Sequence, residues 1–207
     1  MSGAAVQVFA VIPAAGRSER MGCPKQLLPF GETTLLESVI EAALTGGSDG
    51  LCVVTHRAID AELALGEDPR FITAINDDPR SQMLDSILIG IAALRRRCEV
   101  RDCDAILVCP GDAAGVTAAD VRASIAECRR HPDSIVVAAH EGRRGHPVII
   151  PLSLEGEVAA GLDGGLRALM VRHPERVRIV ECASPGVLED IDTPADYARL
   201  SLDKGRS

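Results

Sequence analysis

Aromatic side chains are scarce in this chain of 207 residues, which contains three Phe, one Tyr and no Trp. The formal net charge is −8, so the chain has no basic excess either. Proteins that hold single-stranded nucleic acid stack its bases on aromatic rings, and nucleic-acid binders in general present a basic surface. The composition therefore predicts that nucleic acid is not a partner.

Long hydrophobic runs are also missing. No apolar stretch approaches the ~20 residues that a membrane-spanning helix needs, and the N-terminal segment lacks the basic region of a signal peptide. The seven cysteines are irregularly spaced and include no C-x-x-C pair, so a zinc site held by cysteines is not expected. These absences predict a protein of the reducing cytoplasm with no membrane partner.

Lysine is the third scarcity. Lys25 and Lys204 are the only two lysines among 22 strongly basic side chains, and the rest are arginines. The lysine ammonium is a compact point charge, whereas the arginine guanidinium is a planar fork. Because Lys204 falls in a short polar tail, Lys25 is the only lysine in the body of the chain.

What the chain does contain is a regular alternation of short apolar runs and helical patterns. The predicted strands are Val6–Ile12, Leu51–Thr55, Phe71–Ile75, Ala105–Cys109, Ser134–Ala139, Pro147–Ile150 and Val177–Glu181. The predicted helices are Thr33–Leu44, Met83–Arg97, Thr117 to about Arg129, Leu166–Val171 and Pro194–Leu200. This order predicts an α/β fold, a three-layer αβα sandwich around a mainly parallel, Rossmann-like sheet.

No repeat or linker divides the chain, so residues 1–207 are expected to form a single domain with an ordered core over about 6–200. Ligands of such sheets bind beyond the carboxyl ends of the strands. The loop after the first strand has small residues at 14–16, where backbone N–H groups could approach a phosphate. Arg17, Arg20 and Lys25 then concentrate positive charge. Taken alone, these residues are also compatible with a mobile surface loop, because neither a Walker P-loop nor a G-x-G-x-x-G fingerprint is present.

The complete string over residues 14–29 is more specific, because it fills every fixed position of A-A-G-x-S-x-R-M-G-x-x-K-x-L-L-P. This string resembles the opening signature of the nucleotidyltransferases of the molybdenum cofactor cytidylyltransferase and molybdopterin guanylyltransferase type. The resemblance implies a fold of the nucleotide-diphospho-sugar transferase type. It also implies catalytic roles for Lys25 and Arg20 on the phosphates. The residues of this loop implied to bind the nucleotide are Ala14, Ala15, Gly16, Arg17, Ser18, Arg20, Met21, Gly22 and Lys25.

Two acidic positions are candidates for a metal site. Asp112 follows the fourth strand, where it could simply begin a turn, and Thr193 or Asp192 could simply cap the closing helix. In the resembling family, both positions imply a Mg²⁺ site, and Asp112 is implied to be catalytic. Two carboxylates suffice, because Mg²⁺ takes its remaining ligands from phosphate and water. The proline that usually follows the family's aspartate at the next position but one is absent, since this chain has Ala114 there.

Further motifs match the family in part. Asn76 and Ser86 fall in a stretch that resembles the family's approach to the nucleotide base, although Ser86 could also belong to a plain helix N-terminus. Two other stretches resemble segments that border the acceptor pocket. The residues implied to bind the acceptor are His146, Gly165, Arg167 and Asp190.

These residues predict a Mg²⁺-dependent enzyme that transfers a nucleoside monophosphate from an NTP to a phosphorylated acceptor and releases pyrophosphate. CTP is favoured over GTP as the donor, and molybdopterin is the favoured acceptor. A transient contact with an apo-molybdoenzyme or its chaperone would follow. The alternatives are a sugar- or polyol-phosphate nucleotidyltransferase and, from another class, a non-catalytic nucleotide- or pterin-binding chaperone.

Overall fold

The computed structural model describes residues 5–18, 21–63, 68–189, 191 and 193–198. The strands are β1 (Val8–Pro13), β2 (Pro29–Phe30), β3 (Thr33–Thr34), β4 (Gly50–Thr55), β5 (Phe71–Ile75), β6 (Ala105–Val108), β7 (Ile135–His140), β8 (Arg143–Pro151) and β9 (Val177–Glu181). The helices are α1 (Leu35–Thr45), α2 (Arg57–Asp60), α3 (Met83–Arg97), α4 (Ala118–Arg130), α5 (Glu155–Ala159) and α6 (Leu166–Arg172).

Seven strands form the central sheet in the order β5-β4-β1-β6-β8-β7-β9. β1 pairs in parallel with β4 and β6, β4 with β5, and β7 with β9. Only β8 is antiparallel to its neighbours within this described sheet. The mostly parallel sheet between helical layers confirms the predicted fold class. β2 and β3 form a separate small hairpin.

The strand β1 is a continuous apolar run because it is covered on both faces. Ala10 and Ile12 pack in the cluster that includes α1 and α4, whereas Phe9 and Val11 pack in the cluster that includes α3. α3 approaches this strand so closely at Gly90 that an added Cβ would lie 2.5 Å from Val11 Cγ1. The fold therefore fixes the end of β1 firmly, and the loop that follows starts from a rigid base.

Most predicted elements lie within two residues of the observed bounds, and those of β5, α3 and β9 agree at both ends. Threonines begin two of the helices: Thr34 caps α1, and Thr117 caps α4 as predicted. The sequence pattern missed β2, β3, α2 and α5, which are only two to five residues long. The strand predicted at Pro147–Ile150 is also shorter than β8, because the first residues of β8, 143–146, are polar or glycine. Residues 194–198 of the predicted closing helix are helical.

Burial accounts for most of the cysteines. Cys52, Cys109, Cys128 and Cys182 are buried and free, as their apolar surroundings in the sequence indicate. Burial raises the pKa of Cys52 to about 12 and that of Cys128 to about 11, so these thiols stay protonated near neutrality. Within the described residues, no helix has the length and apolar character needed to cross a membrane.

Asp104 is a buried carboxylate just before β6 that is hydrogen-bonded to the segment leading into β1. Its carboxylate accepts hydrogen bonds from the backbone N–H of Gln7 at 3.0 Å and of Arg101 at 2.8 Å. The Arg101 guanidinium adds an ion pair with N–O distances of 2.5 and 3.1 Å. Burial alone would raise the pKa of Asp104, but the hydrogen bonds from Arg101 and Gln7 together lower it. The ionised carboxylate therefore stabilises the folded chain.

We expect Asp104→Asn to lower the free energy of unfolding at pH 7 by about 2 kcal/mol, because it removes the charge of a buried carboxylate that is hydrogen-bonded to the partly exposed Arg101 guanidinium. The loss should be full above the unfolded carboxyl's pKa of about 3.9. It should shrink as the pH falls through the lower folded pKa, where the wild-type carboxylate is protonated. Urea denaturation between pH 2 and pH 7 measures it. Asp102→Asn, whose side chain is 92% exposed, is the matched control and should change stability little.

Candidate functional site

A cleft of about 630 Å³ opens where β1, β5 and β6 end. Its lining comes from residues 13–18 and 21–26, at and after the end of β1, from residues 76–86 after β5, and from residues 110–112 after β6. This position agrees with the general rule for ligands of α/β sheets. Of the sequence-predicted residues, the cleft brings together Ala14, Ala15, Gly16, Arg17, Ser18, Met21, Lys25, Asn76, Ser86 and Asp112.

The first loop is held in place by hydrogen bonds to a buried side chain that also lines the cleft. Gln26, which is 2% exposed, donates hydrogen bonds to the carbonyl oxygens of Ala14 at 3.0 Å and Gly16 at 2.8 Å. Its own carbonyl oxygen accepts a hydrogen bond from Ser18 Oγ at 3.2 Å. Ser18 Oγ in turn accepts one from the backbone N–H of Lys25 at 3.1 Å. The loop is therefore tied to the short helical turn that carries Lys25.

Lys25 and Asp112 form an ion pair in the floor of the cleft. Lys25 Nζ lies 2.5 Å from Asp112 Oδ2 and 2.8 Å from the carbonyl oxygen of Ile191. Each of the two charged side chains is only 15% exposed. A partly dehydrated ammonium group next to a carboxylate is suited to phosphate and to a cation that accompanies it.

The loop that follows Asp112 has Ala114 where the family usually has proline, and its backbone is held by turns and by close packing. Backbone N–H groups of Ala113 and Val116 form turns by donating to Pro110 and Ala113 oxygens at 3.1 Å. At Gly115 the backbone meets the segment 185–188, where a Cβ added to Gly186 would lie 2.1 Å from the Gly115 oxygen. The direction of the chain at this point is thus set by two glycines that pack against each other.

Asn76 organises the opposite wall. Its buried amide donates to Ser81 Oγ at 2.6 Å and to Ser86 Oγ at 3.0 Å, and its backbone N–H donates to Thr55 O at 2.7 Å. Asn76 and Ser86 are both buried, with 6% and 4% exposure. In this conformation the Ser86 hydroxyl is an acceptor for the Asn76 amide, and the two residues together shape this wall of the cleft.

Several predicted residues lie away from the cleft lining. Gly22 is exposed, with a φ of +69°. His146 lies on β8, where continuation of the Val108–Val148 pairing places it level with Pro110 at the same end of the sheet. The residues Gly165 and Arg167 lie at the start of α6. Arg20, Asp190 and Asp192 lie outside the described residues.

Sequence reasoning missed six residues of the cleft lining: Pro13, Gln26, Asp78, Ser81, Pro110 and Gly111. The position of Gln26 is variable in the family signature, which gave no reason to single it out. The signal that could have pointed to Gln26 was its neighbour Lys25, because one helical turn, Lys25–Leu27, carries both residues. The region of the missed wall residues was recognised through Asn76, but a partial motif does not show which side chains face the cleft.

The model of the MobA-like NTP transferase domain matches residues 10–177 of the chain, which include the last four residues of β1, the Asn76 wall and Asp112. The chain belongs to the MobA-like NTP transferase family. It is therefore an enzyme of the nucleotidyltransferase class, as the signature over residues 14–29 predicts.

Individual relatives span almost the whole chain. The molybdenum cofactor cytidylyltransferase of Escherichia coli K12 is 25% identical over 189 residues, which cover 90% of this chain and 92% of that one. The nicotine blue oxidoreductase of Paenarthrobacter nicotinovorans is 31% identical over 203 residues, with 93% and 96% coverage. A solved structure of a Mycobacterium tuberculosis H37Rv protein, which has also been determined with manganese, has a TM-score of 0.80 at 30% identity and covers 97% and 100%.

We expect Asn76→Leu to lower the free energy of unfolding by about 1–3 kcal/mol, because it leaves the buried Ser86 hydroxyl without its hydrogen-bond donor. Amide hydrogen exchange should also accelerate in residues 76–82. Urea denaturation and exchange mass spectrometry measure the two effects. Asp78→Ala in the same segment is the control, since its side chain is 53% exposed and the change should stay within about 0.5 kcal/mol.

Proposed function

We propose that this enzyme transfers a nucleoside monophosphate from an NTP to a phosphorylated acceptor in the cleft and releases pyrophosphate. The ion pair of Lys25 and Asp112, facing the loop 14–18, is the observation that carries the proposal. The pair consists of a compact cation beside a carboxylate. The backbone amides of the loop 14–18 line the same cleft. These are the groups that phosphoryl-type transfer needs, because its catalysis consists mainly of positioning and charge neutralisation.

The proposed chemistry needs no general base. An ionised phosphate oxygen of the acceptor attacks the α-phosphorus, and the bond from that phosphorus to the oxygen that bridges to the β-phosphate breaks. The electron pair leaves with pyrophosphate. Lys25 neutralises the charge that builds up on the α-phosphate as it becomes five-coordinate, and Arg20 is assigned to the phosphate chain. The amides of residues 15–18 orient the β- and γ-phosphates.

Asp112 fits a divalent cation by its chemistry. Its carboxylate oxygen, which accepts a hydrogen bond from Lys25 Nζ together with the Ile191 carbonyl oxygen, is a hard donor of the kind that Mg²⁺ prefers. Asp112 would hold the ion together with Asp192 and phosphate oxygens. A bound Mg²⁺ would supply further neutralisation of the phosphates. Within the described residues, no group of three or more His, Cys, Asp or Glu side chains that could hold a metal ion is present.

CTP and molybdopterin are the proposed donor and acceptor. The support is the family signature and the similarity to the E. coli molybdenum cofactor cytidylyltransferase over 90% of the chain. The acceptor would lie beside His146, at the same end of the sheet, with Gly165, Arg167 and Asp190 at its border. Contact with an apo-molybdoenzyme or its chaperone, in the cytoplasm, would follow from that acceptor.

The purified protein should release pyrophosphate from CTP when molybdopterin and Mg²⁺ are present, with less release from GTP, ATP or UTP. A chelator should abolish the release, because the phosphate charge is then not neutralised. Coupled pyrophosphate detection measures the rate. Sugar phosphates and polyol phosphates in place of molybdopterin test the alternative acceptors. No release with any combination of NTP and acceptor would contradict the proposal and favour a nucleotide- or pterin-binding chaperone.

Lys25→Ala should lower kcat by at least about 100-fold, comparable to the loss of one donor that stabilises a transition-state charge. Lys25→Arg should also lose about tenfold, because a forked guanidinium does not reproduce the ammonium between Asp112 Oδ2 and the Ile191 oxygen. Steady-state kinetics measure both. The chain's other lysine supplies the control, so Lys204→Ala should retain wild-type activity. Equal kcat values for wild type and Lys25→Ala would contradict the assigned role.

A second candidate arises from the relative that is 31% identical and named nicotine blue oxidoreductase. If this chain had that relative's activity, the same cleft would bind a two-electron donor together with an oxidised, conjugated substrate. Consumption of NADH or NADPH in the presence of nicotine blue, followed by absorbance, tests this activity on the same preparation. Turnover there without pyrophosphate release from any NTP would replace the first proposal.

A further inference from the structure

We propose that Gln26 is the positioning residue that turns backbone amides of the first loop towards the phosphates of the nucleotide. This inference rests on the proposed function, because it assigns a nucleotide to the cleft. Gln26 is one of the few buried polar residues of the described chain. It makes three hydrogen bonds, and all of them are to residues 14, 16 and 18 of the loop.

The direction of the amides follows from peptide geometry. In a trans peptide, the N–H of one residue points opposite to the C=O of the residue before it. The carbonyls of Ala14 and Gly16 point at Gln26 Nε2, so the N–H groups of Ala15 and Arg17 point away from it. Ala15 and Arg17 line the cleft. Gln26 also lines the cleft, but its effect on the direction of these two amides is exerted through the loop.

The amides of the loop are available for a ligand. The N–H groups of residues 15–18 have no acceptor among the described residues, whereas the Ala14 N–H is bonded to the Val54 oxygen at 2.7 Å. Successive N–H groups that face one space form an anion-binding concavity. The first loop therefore has the donors for a phosphate, and Gln26 sets their direction.

Ser18 shows that the loop is held in a conformation it would not adopt freely. Its φ of +52° is in the left-handed region, which a residue with a side chain occupies at an energetic cost. The hydrogen bond from Ser18 Oγ to Gln26 and the one that this oxygen accepts from Lys25 N offset that cost. Without Gln26, three of the loop's restraints disappear together.

The test compares ligands that contain different numbers of phosphates. Wild type, Gln26→Met and Gln26→Glu are titrated with pyrophosphate, a nonhydrolysable CTP analogue and cytidine by calorimetry. Gln26→Glu keeps the shape but places a carboxylate against two carbonyls, and Gln26→Met removes both donors. Ser124→Ala is the control, since this buried hydroxyl on α4 donates to the Asp120 oxygen outside the cleft.

We expect both Gln26 variants to bind pyrophosphate and the analogue at least about tenfold more weakly, with cytidine affinity retained. In wild type, pyrophosphate should shift the backbone amide resonances of Ala15 and Arg17 in ¹⁵N–¹H spectra, and the shifts should be lost in the variants. Equal phosphate affinities, or a parallel loss of cytidine binding with a lower melting temperature, would overturn the positioning role. If wild type binds neither pyrophosphate nor the analogue, the proposed function itself is contradicted.

Discussion

The ion pair between Lys25 and Asp112 joins two loops that are 87 residues apart in sequence. An ammonium group that is only 15% exposed has lost much of its hydration, and it stays charged at low cost only beside negative charge or carbonyl oxygens. Asp112 and the Ile191 oxygen provide both. The ends of β1 and β6, and the chain near residue 191, therefore have to arrive at one place. The parallel pairing of β1 with β6 makes this possible.

Much of this arrangement could be predicted from sequence, because it follows from local patterns. The strands β1, β4 and β5 are short apolar runs, and the periodicity of α3 is clear over 15 residues. The site residues before and after them fall at strand ends, where the family signature also places them. Lys25 and Asp112 could thus be named together, although no local pattern shows that they touch.

The remainder depends on contacts between distant residues. The antiparallel course of β8 is set by its pairing with β6 and β7, and an apolar run does not reveal its direction. Gln26 is a polar residue in a polar loop, and its burial becomes visible only when the loop folds back over it. The packing of Gly115 against Gly186 is likewise a meeting of two segments that are far apart in sequence.

The reversed direction of β8 has a consequence for how members of this fold can diverge. Because β8 runs against β6, its first residues, rather than its last, reach the end of the sheet where the cleft opens. The turn at Glu141 and Gly142 that joins it to β7 is exposed and projects from that same end. Insertions at this turn would lengthen a hairpin at that end of the sheet without disturbing the buried residues 147–151. The length of this hairpin can therefore change at the cleft end of the sheet while the buried core stays the same.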